Sequence, residues 1–150
     1  MQPQIKVLTL GVNDLETSLA FYRDGLGWAT EGIVGTEFEG GAVVFFALHG
    51  GLILALYPKT QIAKDANLPF APSPIQSEVQ SGANMTAPIF TLGHNVNSKA
   101  EVDAVMAEAQ AAGAAITDPP RDRAWGGYSG HFLDPDGHVW EIVWNPQLAG

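Results

Sequence analysis

Glu141 is the residue whose neighbours most strongly suggest chemistry. It stands in His138-Val139-Trp140-Glu141-Ile142-Val143-Trp144, a run rich in β-branched and aromatic residues that reads as a strand. Two-residue alternation puts Val139, Glu141 and Val143 on one face and His138, Trp140, Ile142 and Trp144 on the other. Both faces are largely apolar, so both should be covered. A carboxylate on a covered strand must be solvated, paired or bound to a cation, because burying it alone is costly or shifts its pKa. Of the four histidines, His49 and His94 fall at strand ends, His138 lies on the opposite face, and His131 meets Glu141 only if the register of the preceding strand allows. In the approach to that strand, Trp125 could stack on a flat ligand and Tyr128 could hydrogen-bond it. The alternative is a glycine-bulged strand at Gly126-Gly127 whose aromatics only pack. Arg121 and Arg123 are expected to pair with Asp118 or Asp122.

These side chains need a hairpin to hold them. Asp134-Pro135-Asp136-Gly137 supplies one, with Pro preset near φ −65° and Gly free to take positive φ. Upstream, residues 5–12 alternate as a strand. Asn13 with Glu16 forms a capping-box-like helix start, Leu15, Leu19, Tyr22 and Leu26 make a buried stripe, and Gly25 and Gly27 close the helix. Residues 28–34, 42–48 and 52–57 are strand candidates, the last two turned at Gly50-Gly51.

Residues 58–87, rich in proline, read as a linker, with a short helix near residues 61–67. Residues 89–94 open a second series. Ser98 with Glu101 starts a helix over residues 99–112, with Val102, Val105, Met106 and Ala109 inward, and Gly113 stops it. A short strand at residues 115–118 precedes the hairpin. The order strand, helix, three strands therefore occurs twice, giving an α+β fold of two βαβββ modules, at about residues 5–57 and 88–146, in a single domain.

Composition narrows the function classes. The chain has 150 residues, no cysteine and a net charge of −9. Disulfides and thiolate chemistry are excluded, and the scattered basic residues argue against a nucleic-acid surface. No apolar run reaches membrane-spanning length, and Met1-Gln2-Pro3-Gln4 lacks the basic start of a secretory signal, so a cytoplasmic protein without a membrane partner is expected.

Two landmarks, residues 11–18 with Phe21-Tyr22 and Gly25-Leu26-Gly27, and Asp134 to Gly137 with Trp140-Glu141, make the chain resemble the vicinal oxygen chelate superfamily, which groups glyoxalase I, bleomycin-resistance proteins and extradiol dioxygenases. The resemblance implies sheets curled into a barrel-like cleft with helices outside, and often a homodimer. It also implies, in metal-using members, ligands on the first and last strands of each module. Those positions fall on Val7, Leu54, near Ile89, and Glu141. One carboxylate against three apolar residues cannot hold a divalent ion, so no cofactor is expected. The implied function is metal-independent binding of an apolar or aromatic small molecule by Val7, Thr9, Leu54, Leu56, Ile89, Thr91, Val139 and Val143, with Trp125, Tyr128 and His131 near the mouth and Glu141 as polar anchor. The alternative is an enzyme: a glyoxalase-like lyase or isomerase, or a dioxygenase, using an unrecognised divalent metal set, or metal-free acid/base chemistry at Glu141.

Overall fold

The computed structural model describes residues 1–70, 79 and 88–148. The chain divides into two compact units, Met1–Ser73 and Pro74–Gly150. In the first, alternating apolar residues form β1 (Val7–Val12), with Leu10 and Val12 buried. Asp14, one residue later than the sequence suggested, caps α1 (Leu15–Leu19): its carboxylate accepts the Thr17 N–H at 2.7 Å, a bond that also holds its pKa below the usual carboxylate value. The helix runs on as a π-helical stretch, Ala20–Gly25, in which the wider turn buries Phe21 beside Tyr22. Leu15 and Leu26 are only half-buried.

The rest of this unit is β2 (Ile33–Val34), β3 (Val43–Ala47), β4 (Ile53–Pro58) and α2 (Lys59–Asp65). The sheet order is β1-β4-β3-β2, with β1 and β4 parallel and the other pairs antiparallel. The strand expected over residues 28–34 is mostly loop. Trp28 leaves it for a cluster with Tyr22 and Phe46, at ring separations of 5.5 and 5.7 Å, and Thr30 Oγ1 donates to the Phe45 carbonyl from outside the ladder. The linker also begins later than expected, since β4 passes directly into α2, which packs on β1 and β4. Lys59 and Ile62 approach Gly11 so closely that a Cβ there would lie 2.8 Å from Lys59 Cγ.

The second unit repeats the plan with β5 (Leu92–Val96), α3 (Lys99–Ala111), β6 (Ala115–Asp122), β7 (Tyr128–Leu133) and β8 (Val139–Trp144), in the order β5-β8-β7-β6. Ser98 caps α3 by accepting the Glu101 N–H, while Glu101 reaches back to the Asn97 N–H at 2.9 Å. Val102, Met106 and Ala109 are buried, as the helical spacing requires. In the hairpin turn, Asp134 Oδ1 accepts the N–H groups of Asp136 and His138, and Gly137 takes φ 84°. The described helices include none long and apolar enough to cross a membrane.

β6 departs from expectation by continuing through Pro119-Pro120. It is an edge strand, where missing donors are tolerated, and its pairing with β7 shifts between Ile116 and Asp118 and again between Asp118 and Arg121. Gly130 meets this irregular stretch, and a Cβ there would crowd the Asp118 carbonyl and Met106 at 3.0 Å.

Candidate functional site

The bulges in β6 place Asp118 beside His131, and the β7–β8 register places His131 beside Glu141. Laterally paired residues share a sheet face, so these three side chains line one row on the face turned away from α3. The opposite face carries Trp140, Ile142 and Phe132, all buried, with α3 packed on β7 and β8. His131 Nδ1 lies 3.3 Å from Asp118 Oδ2, and Nε2 lies 3.8 Å from Glu141 Oε1. The alternation of β8 is as the sequence implied, and the open question of register is answered: His131 does approach Glu141.

Asp118 is held by two guanidinium groups. Arg123 Nη2 donates to Oδ2 at 2.6 Å and Arg121 Nε to Oδ1 at 3.0 Å. The Arg123 hydrogen bond dominates in lowering the Asp118 pKa to about 2, opposed by burial. Arg123 also donates to the Ser129 hydroxyl at 2.8 Å and the Ser129 carbonyl at 2.9 Å, and only 12% of its side chain is exposed. Both arginines pair with Asp118 as expected, Arg121 at the surface and Arg123 largely buried.

The corresponding row of the first sheet is chemically different. Thr9 precedes the α1 cap by the same separation as Gly93 precedes the α3 cap. Thr9 pairs with Ala55, which pairs with Phe45, whereas Gly93 pairs with Glu141 and then His131. On the face turned away from α1, Ala29, Thr30, Glu31, Gly32, Val34, Phe45, Ala47 and Ile53 line a hollow of about 460 Å³.

The candidate residues from the sequence separate accordingly. Val7 and Thr9 lie on the face of the first sheet turned away from α1, the face on which α2 meets Gly11. Leu54 and Leu56 pair with Leu8 and Leu10 and are fully buried on the α1 side. They are core residues: β4 enters the sheet one residue out of phase with the sequence reading, so Ile53, Ala55 and Tyr57 take the other face. Ile89 precedes β5 and is wholly exposed, and Thr91 sits just before the strand. Val139, Glu141 and Val143 share a face as expected. Trp125 lies in the β6–β7 turn, half exposed, with its ring against Gly127. Tyr128 points to the helix side, where its hydroxyl donates to Asp103 at 2.8 Å; a hydrogen bond to a ligand on the Glu141 face is therefore replaced by one to α3. Phe45, Ala47 and Ile53 were missed, although alternation within Val43-Val44-Phe45-Phe46-Ala47 already separates Phe45 and Ala47 from buried Val44 and Phe46.

Neither row suits a divalent ion. The first offers Val7, Thr9, Ala55 and Phe45, with no nitrogen or carboxylate donor. In the second, two guanidinium groups occupy Asp118, leaving Glu141 and one imidazole nitrogen, fewer than such a site requires. Among the described residues, no group of three or more His, Cys, Asp or Glu is placed to hold a metal.

Comparison with known proteins bears on the fold and family. The family model of the glyoxalase/bleomycin resistance protein/dioxygenase superfamily matches residues 4–142. The chain is similar to a glyoxalase-related enzyme from Fulvimarina pelagi at 32% identity, over 96% of this chain and 89% of that one, with a TM-score of 0.75. A glyoxalase/bleomycin resistance protein/dioxygenase from Nocardioides shares 26% identity over 96% and 84% of the two chains, TM-score 0.71. A fosfomycin resistance protein, FosX, from Listeria monocytogenes, complexed with Mn(II) and a dihydroxypropylphosphonic acid, shares the fold at 21% identity over 95% and 90%, TM-score 0.61. No curated protein matches the chain.

Proposed function

Because the chain belongs to the glyoxalase/bleomycin resistance protein/dioxygenase superfamily, we propose that it is a small-molecule-binding protein of that kind, working without a resident metal and holding an apolar or aromatic ligand in the hollow of the first sheet. The hollow itself carries the reading. Its volume of about 460 Å³ falls within the roughly 300–1,000 Å³ usual for ligand sites. Val34, Phe45, Ala47 and Ile53 supply an apolar wall, and Thr30 and Glu31 add polar groups. Phe45 remains 47% exposed, so covering it with a ligand removes apolar surface from water. A homodimer in the cytoplasm completes the proposal, and sedimentation velocity checks its stoichiometry.

The direct test is fluorescence titration with the neutral probe N-phenyl-1-naphthylamine. Ala47 is exposed on the hollow side, so Ala47→Trp should fill the space without disturbing the core and weaken probe binding about tenfold or more. Wild-type protein that fails to bind the probe, or a variant that binds it equally well, defeats the proposal.

A second reading, a lyase or isomerase, is favoured by one observation: Glu141 and His131 face each other at 3.8 Å, an arrangement suited to proton exchange with a substrate. Comparing turnover of a methylglyoxal–thiol adduct by wild type and Glu141→Gln decides it, since equal background rates exclude the role.

A further inference from the structure

The hollow of the first sheet lies along a strand edge that is only partly paired. β2 covers β3 with Ile33 opposite Val44 and Val34 opposite Val43. The same register, continued, would set Gly32 opposite Phe45 and Thr30 opposite Ala47. The chain leaves the sheet there instead, since Trp28 packs with Tyr22 and Phe46. At Phe45 the Thr30 hydroxyl fills the gap, accepting the Gly32 N–H at 3.2 Å and donating to the Phe45 carbonyl at 2.7 Å.

At Ala47 the gap stays open. The Leu48 N–H donates to the Leu52 carbonyl across the β3–β4 hairpin, so alternation directs the backbone groups of Leu48, Phe46 and Val44 to β4. Those of Phe45 and Ala47 point to the outer edge, the side from which Thr30 reaches Phe45. Among the described residues, neither the N–H nor the C=O of Ala47 has a hydrogen-bond partner. Ala47 is exposed, and across from it Ala29, Thr30, Glu31 and Gly32 form the other wall of the hollow. This donor–acceptor pair stands alone, because Thr30 closes the edge at the Phe45 carbonyl and the turn at His49–Gly51 ends it on the other side.

We propose that the hollow binds a single apolar amino acid in amide linkage, an N-acyl amino-acid amide, which pairs with Ala47 as one added strand residue. The Ala47 N–H donates to the ligand's amino-acid carbonyl, and the ligand's N–H donates to the Ala47 carbonyl, as in a hydrogen-bonded antiparallel pair. A residue directly opposite Ala47 carries its side chain on the same sheet face as Ala47. That face is the hollow, so the ligand's side chain meets Ile53 and Phe45, the latter 47% exposed. The methyl group of Ala47 leaves it room. This inference rests on the reading of the hollow as a ligand site and adds the class of ligand.

Calorimetric titration of the intact chain with N-acetyl-L-phenylalanine methylamide tests the proposal against the ester in which oxygen replaces the phenylalanine N–H. The amide should bind saturably and displace N-phenyl-1-naphthylamine, and the ester should bind about fivefold or more weakly, having lost one hydrogen bond. Adding a glycine at each end of the amide should not tighten binding, because the free edge is one residue long. Hydrogen exchange followed by NMR gives a readout that needs no variant: the Ala47 amide should exchange freely in the unliganded protein and slow when the amide is bound. Ala47→Pro removes the same donor without touching the β3–β4 ladder and should weaken the amide by a similar factor. Equal affinity for amide and ester, an Ala47 amide already protected without ligand, or tighter binding of the extended peptide would each overturn the proposal. If naphthylamine binds while amide and ester are equivalent, the hollow remains a ligand site and only the pairing to Ala47 fails; if none of the three binds, both readings fall.

Discussion

The same position in the two sheets is occupied by opposite chemistry. In the first, Thr9, Ala55 and Phe45 stand side by side, and in the second Gly93, Glu141 and His131, with Asp118 continuing the row. The backbone plan is alike: each row crosses a parallel pair and then an antiparallel pair, and each sheet buries its other face under a helix. The difference lies in how polar groups are supported. Glu141 is tolerated because about a third of its side chain is exposed and an imidazole stands beside it. Ala55 is 2% exposed, between a hydroxyl and a phenyl ring. A repeated fold therefore provides matched positions, while the neighbouring side chains decide whether a position can carry charge.

Exchanging the chemistry of the rows should produce the largest effect. Ala55→Glu introduces a carboxylate with no cationic partner in its row, and urea unfolding should show a loss of about 3 kcal/mol or more. If the variant is as stable as wild type, the two rows are not electrostatically distinct. Next in size is Arg123→Met, which removes the donors to Asp118 and Ser129 and should cost about 1–3 kcal/mol.

Acid provides a finer comparison. The folded-state pKa of Asp118 lies below its ordinary value, so its contribution to stability is present above about pH 4 and is lost as pH falls toward 2. Partial exposure reduces that contribution to about 1 kcal/mol. Thermal midpoints measured between pH 5 and 2 should decline less steeply in Asp118→Asn than in wild type. Parallel curves would show that the Arg–Asp cluster adds no acid sensitivity. The smallest effect should come from Glu141→Gln, with stability within about 0.5 kcal/mol of wild type, because His131 and Glu141 make no direct hydrogen bond at 3.8 Å. A larger loss would mean that Glu141 stabilises the fold, and the contrast between the rows would need another cause.

Much of this organisation was legible in the residues. The repeated strand–helix–strand order, the turn at Asp134 to Gly137, the Ser98 cap and the alternation of β8 all depend on nearby residues, and the structure has them as read. Errors arose where one residue of phase mattered. The sequence pattern puts Leu54 and Leu56 in a cavity, yet the β1–β4 register turns them into the core. Ile89, apolar enough to read as strand, precedes a strand that begins at Leu92. A two-residue period amplifies such a slip, since moving a strand by one residue reverses the face of every side chain. Tyr128 failed for another reason: Asp103, its hydrogen-bond partner, lies on a distant helix.

The sequence by itself determined the element order, the family resemblance and the singular position of Glu141, because capping, turn formation and periodicity are set by residues a few positions apart. Only the tertiary structure decided that His131 meets Glu141, that Asp118 and Arg123 stand behind it, and that Phe45, Ala47 and Ile53 surround a hollow. Those contacts depend on register and on the bulges around Pro119-Pro120, where pairing between distant segments, rather than local preference, fixes which side chains share a face.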